Sequence, residues 1–112
     1  MRPHRPLDLL ADCIGFDWDD ANLTKNWDRH RVTPEEAEDV FFQEPIIMSG
    51  DAGHAGREKR YRLLGQTGAG RRLFVAFTVR RKLVRVISAR DMNRRESESF
   101  ASYEKNYTEG DS

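Results

Sequence analysis

Between Lys59 and Ala89 the chain reads KRYRLLGQ, RLFVAFTV and LVRVISA, three strand-like runs separated only by TGAGR and RRK. Links of that length allow little except a direct reversal, so the three runs are expected to pair as antiparallel neighbours. Alternation along the first run puts Arg60, Arg62 and Leu64 on one face, with Tyr61, Leu63 and Gly65 on the other. Ahead of it, Pro45-Ile46-Ile47-Met48 reads as a further strand running into the Gly-rich DAGHAG, and FDWD at 16–19 as a short edge strand.

Helical signals flank this sheet. Asp19 or Asp20 can cap a helix over about residues 20–30, with Leu23 and Trp27 four apart on its buried side. Thr33-Pro34-Glu35-Glu36 supplies a capping hydroxyl, a proline at the first helical position and a carboxylate three residues after the cap. Ala37, Val40 and Phe41 follow at helical spacing, and Pro45 ends the element. A last helix starts near Asn93 or Arg94 and carries Phe100, Tyr103 and Tyr107 on one side. The order β-α-α-β-β-β-β-α predicts an α+β domain, two N-terminal helices and one C-terminal helix packed alongside a small antiparallel sheet. At 112 residues the chain makes one domain, here residues 16–105, with 1–15 a loosely ordered extension and 106–112 a flexible tail.

The net charge is zero, yet the charges are sorted along the chain. Residues 57–95 hold 13 Lys/Arg against 2 Asp/Glu, between two acidic segments. Such a basic block points to an anionic partner, unless the acidic helices cover it. Cys13 stands alone, which excludes an internal disulfide and fits a reducing compartment. No apolar run spans a membrane, the N-terminus is a poor match to a signal peptide, and a cytoplasmic location is expected.

The motifs of several chemistries are missing. His4, His30 and His54 share no metal-ligand spacing, and Asp17, Asp19 and Asp20 suit helix capping better than a cation. There is no Walker-type loop and no Gly-x-Ser-x-Gly. What remains is arginine. Arg80 and Arg90 terminate strands, Arg60, Arg62 and Arg85 lie within them, and Arg94 and Arg95 crowd a helix start that normally attracts carboxylates. Guanidinium forks from adjacent strands beside a helix N-terminus suit a phosphodiester, so an external anion is expected there. Any of these arginines could instead pair with the acidic helix at 35–39. Arg57, Arg71, Arg72 and Arg81 fall at turns, where solvated surface is the expectation.

Taken together the blocks resemble a known family. FDWD, Asn26, Arg29-His30 and Val32-Thr33-Pro34-Glu35-Glu36-Ala37, then Glu58 and Arg60 before Leu64-Gly65, then Ile87-Ser88-Ala89-Arg90 and Arg94-Arg95-Glu96, are similar to the BrnT toxins of bacterial toxin–antitoxin systems. The likeness runs over about residues 16–104. Two positions depart from it: the family usually has lysine where Asn22 stands and glycine where Arg31 stands.

The resemblance implies a fold like the RelE-type ribonucleases and an activity as a metal-independent endoribonuclease that inhibits translation, with no cofactor. It implies a BrnA-like antitoxin, an RNA substrate, contact with DNA only through the antitoxin, no membrane partner, and a heterotetramer with the antitoxin. Carried onto this sequence, Arg60, Arg80 and Arg90 would bind and stabilise the reacting phosphate, and Glu58 or His30 would move the proton. Arg62, Arg85, Arg94 and Arg95 would hold the RNA, and Trp18 and Tyr61 can stack a base, with plain core the competing role for Trp18. A binding module that acts through antitoxin and DNA with little or no catalysis is the alternative.

Overall fold

The computed structural model describes residues 10–51 and 59–110. Its elements are β1 (Gly15–Phe16), α1 (Asp20–His30), α2 (Pro34–Asp39) continued by a 3-10 turn (Val40–Phe42), β2 (Ile47–Asp51), β3 (Arg60–Gln66), β4 (Arg72–Arg80), β5 (Leu83–Asp91) and α3 (Arg94–Gly110). The five strands form one sheet in the order β1-β5-β4-β3-β2. From β2 to β5 every pairing is antiparallel, as the short links require for β3, β4 and β5. β1 instead pairs parallel to β5, so the sheet is mixed rather than purely antiparallel. Hairpin links dictate direction only for the strands they join, and β1 reaches β5 from the far end of the chain.

The edge strand is also shorter than FDWD suggests. Asp17 still donates its amide to the Val84 carbonyl, at 2.8 Å, but Trp18 and Asp19 turn away. Asp19 becomes the N-cap of α1, accepting from the Ala21 amide at 2.7 Å. The side of α1 that meets the sheet is not the Leu23–Trp27 side; Trp27 is 46% exposed. Asn22, Lys25 and Asn26 face the sheet instead. Asn22 Nδ2 donates to the Val86 carbonyl at 3.2 Å, Lys25 Nζ donates to the Ile87 carbonyl at 2.9 Å, and Asn26 Oδ1 accepts from the Ala89 amide at 3.2 Å. The physical reason lies in β1. It covers only the start of β5, and the backbone groups beyond need polar partners that an apolar helix face could not supply.

α2 forms as its capping box dictates, Thr33 Oγ1 accepting from the Glu36 amide and Glu36 Oε1 accepting from the Thr33 amide. Ala37, Val40 and Phe41 then pack with Val32 and Ile46 against Leu63, Leu73, Val75, Phe77, Val84, Val86 and Ala89 on one sheet face. Phe41 meets Phe16 and Phe77 edge-on, with centroids 5.4 and 5.0 Å apart. Leu10 and Cys13 join this core, whereas Ile14 is exposed. An apolar cavity of about 240 Å³ lined by Cys13, Ile14, Phe16, Phe41 and Phe42 lies on the same side. On the opposite face α3 covers one end of the sheet, with Phe100 fully buried.

Two arginines expected at the surface are structural. Arg71 donates Nε and Nη2 to Asp91, Nη1 to Glu36 and to the Arg31 carbonyl, and Nη2 also to the His30 carbonyl. Arg72 lies over the Phe100 ring at 5.3 Å and pairs with Glu104 at 3.2 Å. Turn position alone gave no sign of either role. Arg81 is exposed at the β4–β5 turn, and Arg57 lies outside the described residues.

Candidate nucleic-acid interface

Register decides which side chains share the open sheet face. Arg62 on β3 stands opposite Ala76 on β4, and Ala76 opposite Ser88 on β5. One step along, Thr78 stands opposite Arg85, and Arg60 lies next to the Tyr61–Phe77 pair on the Arg62 side of its strand. Phe74 opposes Arg90, and Arg80 closes β4 opposite Leu83. Arg60, Arg62, Arg80, Arg85 and Arg90 therefore project from one face, as alternation indicates.

The centre of that face is low and its sides are cationic. Ala76 and Thr78 on β4 form a floor of small side chains. β3 and β5 flank it about 10 Å apart, two strand spacings. Arg60 and Arg62 stand exposed on one side; Arg85 and Arg90 are half-buried on the other. Ile87 is the extra residue of a bulge in β5, since Ala76 pairs with Ser88 and Phe77 with Val86. Lys25 places its ammonium on the Ile87 carbonyl at this bulge. This cation has no motif to mark it in the sequence, and it lies one helical turn from Asn22 on the same side of α1.

The two half-buried arginines already hold carboxylates. Arg85 Nη2 donates to Asp19 Oδ2 at 3.3 Å. Arg90 grips Glu96 with both terminal nitrogens, at 2.8 and 3.0 Å, and lies 4.1 Å from the centre of the Phe74 ring. Glu96 closes a capping box on α3: its Oε1 accepts from the Asn93 amide at 2.9 Å, and its own amide donates to Asn93 Oδ1 at 2.8 Å. The expected anion at this helix start is thus supplied from within the chain. The hydrogen bond from Arg90 holds the Glu96 carboxyl below its ordinary value despite burial, with the Asn93 amide adding to it. Asp19 is likewise lowered, first by the Ala21 amide and then, against partial burial, by Arg85. The spacing Asn93-x-x-Glu96 was the available signal for this arrangement.

The other described candidates do not join this face. Arg94 and Arg95 are exposed on the first turn of α3, Arg94 reaching Glu98 at 3.4 Å. Trp18 donates Nε1 to Glu38 Oε2 at 2.7 Å and packs against the core, and Tyr61 stacks on Phe77 at 5.5 Å on the core side. His30 ends α1, beside Asp91 and away from the Arg80–Leu83 end of the sheet. Glu58 lies outside the described residues.

The departure at Arg31 leaves a recognisable turn. Arg31 adopts φ 54° and ψ 41°, the left-handed conformation glycine favours after a helix, and its guanidinium lies 5.1 Å from the Trp27 ring centre.

A family model described as the ribonuclease toxin, BrnT, of type II toxin–antitoxin systems matches residues 18–96. The chain belongs to the BrnT family. Its matched segment runs from Trp18 to Glu96 and so takes in α1, α2, the whole β2–β5 meander and the Arg90–Glu96 pair. The crystal structure of the Brucella abortus ribonuclease toxin, BrnT, is similar in fold, with a TM-score of 0.52 at 17% sequence identity, covering 72% of this chain and 99% of that one. A comparison with curated proteins finds no match. As a BrnT-family member the chain is the ribonuclease-toxin type of component, for which an antitoxin partner is implied. Among the described residues no helix is long and apolar enough to cross a membrane.

Proposed function

We propose that this BrnT-family chain is an endoribonuclease that cleaves RNA without a metal ion, and that the open arginine face is where it does so. The observation that carries the reading is the trough itself: a floor of small side chains flanked by guanidinium groups from two strands. A single strand of RNA needs a surface that follows its phosphates without a deep pocket, and flat cationic grooves meet that need. Arg60 and Arg80 lie at exposed strand ends, and Arg90 on the β5 side. Arg80 lies six residues along β4 from Phe74, the partner of Arg90, or about 20 Å. The arginines would therefore grip different phosphates of one strand: Arg90 the scissile one, attacked in line by the 2′-hydroxyl of the preceding ribose, and Arg60 and Arg80 a phosphate further along. The P–O5′ bond breaks, leaving a 2′,3′-cyclic phosphate and a 5′-hydroxyl. Negative charge builds on the non-bridging oxygens in that step, and fixed guanidinium groups stabilise it more than the ground state. Glu58 or His30 would handle the proton. Arg62 and Arg85 would hold the flanking strand, with Arg94 and Arg95 guiding it from the start of α3.

The same reading assigns a BrnA-like antitoxin that neutralises the toxin, joins it in a heterotetramer and makes any contact with DNA. The cellular outcome is inhibited translation in the cytoplasm.

The test uses isolated protein freed of antitoxin, incubated with RNA with and without EDTA. Cleavage that survives EDTA, leaves cyclic-phosphate ends and disappears in an Arg60→Ala/Arg80→Ala variant is expected. Intact RNA from folded protein would sink the proposal and favour the non-catalytic binding module.

A further inference from the structure

We infer that Glu96 is a positioning residue, clamping Arg90 so that one fixed edge of its guanidinium is offered to phosphate. The inference rests on the reading of the arginine face as the RNA-cleaving surface. A guanidinium has five N–H donors. Arg90 spends both Nη1 donors, on Glu96 Oε1 at 2.8 Å and the Asp91 carbonyl at 3.1 Å, and one Nη2 donor on Glu96 Oε2 at 3.0 Å. The Nε–H and the second Nη2–H carry no hydrogen bond among the described residues. Those two lie side by side on one edge, which is the geometry of a bidentate contact to two phosphate oxygens.

The other contacts remove the freedom of that edge. Phe74 lies against the guanidinium at 4.1 Å, which sets its plane. Glu96 Oε1 also accepts from the Asn93 backbone amide at 2.9 Å, so the carboxylate is fixed by the main chain of the helix start rather than by Arg90 alone. The chain contains its own contrast. Arg71 has the same kind of partners, yet all five of its donors are used, on Asp91, Glu36 and the carbonyls of His30 and Arg31. Arg71 is a structural tie with nothing left to offer; Arg90 is half-used and stands on the RNA-facing side. A cation whose geometry is set before substrate arrives stabilises developing charge without first being ordered.

The experiment compares steady-state RNA cleavage by wild type, Glu96→Gln, Arg90→Ala, the Arg90→Ala/Glu96→Gln double variant and Asn93→Ala. Glu96→Gln keeps an amide oxygen for the Asn93 cap but loses the charged, two-oxygen grip on Arg90. It is expected to lose about tenfold in kcat with KM changed less than about twofold, the signature of a contact strengthened in the transition state. The double variant is expected to be no worse than Arg90→Ala, because Glu96 acts through Arg90. Asn93→Ala removes only the side-chain bond to the Glu96 amide and keeps the backbone amide that holds the carboxylate, so it is expected to melt earlier while keeping wild-type kcat. Wild-type kcat in Glu96→Gln beside an impaired Arg90→Ala would overturn the inference, as would equal kcat losses in Glu96→Gln and Asn93→Ala. Wild type that leaves RNA intact would defeat the ribonuclease reading instead. The clamp is then judged by binding of an oligoribonucleotide with one 2′-deoxy linkage, where equal affinity of wild type and Glu96→Gln overturns it.

Discussion

Arg71 and Asp91 meet side-on, Nε to Oδ1 at 2.8 Å and Nη2 to Oδ2 at 3.2 Å, and this pair ties the end of β5 to the link that precedes β4. The same guanidinium reaches Glu36 and the last carbonyls of α1, so one side chain joins both N-terminal helices to the sheet. Arg71→Ala leaves the part-buried Glu36 carboxylate, the exposed Asp91 carboxylate and two helix-end carbonyls without this donor. We expect it to destabilise the fold by about 2 kcal/mol, read as a lower urea midpoint, because charged hydrogen bonds are individually worth about 1.5–3 kcal/mol and these are partly solvent-screened. Cleavage per folded molecule should persist.

Gly65 sits where the 3-10 turn crosses β3. A Cβ there would fall 3.1 Å from Leu63 Cδ2, 3.1 Å from Val40 Cβ and 3.2 Å from Ile46 Cγ2. All three belong to a packed core that cannot yield without losing its own contacts. Gly65→Ala is expected to cost about 1–3 kcal/mol in denaturant unfolding. A neutral result would mean the turn lies further from the strand.

At Arg31 a side chain bears the left-handed backbone while its guanidinium lies on Trp27. Two substitutions separate these contributions. Ala and Gly both lose the ring contact, but only Gly relieves the backbone, so Arg31→Gly is expected to be about 1 kcal/mol more stable than Arg31→Ala. Equal thermal midpoints for the two variants would contradict the left-handed turn.

Acid should weaken the fold through a small set of carboxyls. Asp91 is held low mainly by Arg71 and Glu96 mainly by Arg90; Glu36, despite burial that pushes it up, is brought net low by the Thr33 amide and Arg71. A carboxyl lowered in the folded state adds stability above its unfolded value and loses it as pH falls through the folded value. The urea midpoint should therefore be nearly flat from about pH 6 to 8 and fall below about pH 4.5. Asp91→Asn should shrink the acid-side fall, and an unchanged profile in that variant would contradict the linkage.

Much of this was legible before any coordinates. The links TGAGR and RRK dictate the meander, Thr33-Pro34-Glu35-Glu36 dictates the start of α2, and alternation along β3 separates Arg60 and Arg62 from Tyr61 and Leu63. What stayed hidden depends on partners distant in sequence. The parallel pairing of β1 has no local signature. Trp27 looked like the buried anchor of α1 because apolarity was read without the sheet. The exposed backbone edge of β5 called for Asn22, Lys25 and Asn26 instead. Arg71 occupies a turn, and nothing in a turn reveals that Glu36 and Asp91 converge on it from 35 and 20 residues away. At the candidate site the cations were identifiable by type and strand position, and Asp19 and Glu96 by their capping positions, whereas the pairing of those carboxylates with Arg85 and Arg90 was not.

The most direct measurement is the affinity of a fully 2′-O-methylated single-stranded RNA, in which no 2′-hydroxyl can attack, titrated at several salt concentrations. Wild type is compared with Arg62→Ala on the open face and with Arg29→Ala, an equal loss of charge on the exposed side of α1. Arg62→Ala is expected to weaken binding and to reduce the slope of log affinity against log salt by about 0.7, the release from one single-strand phosphate contact. Arg29→Ala should leave both unchanged. Equal losses in the two variants would mean that diffuse charge, and not the arginine face, binds the RNA.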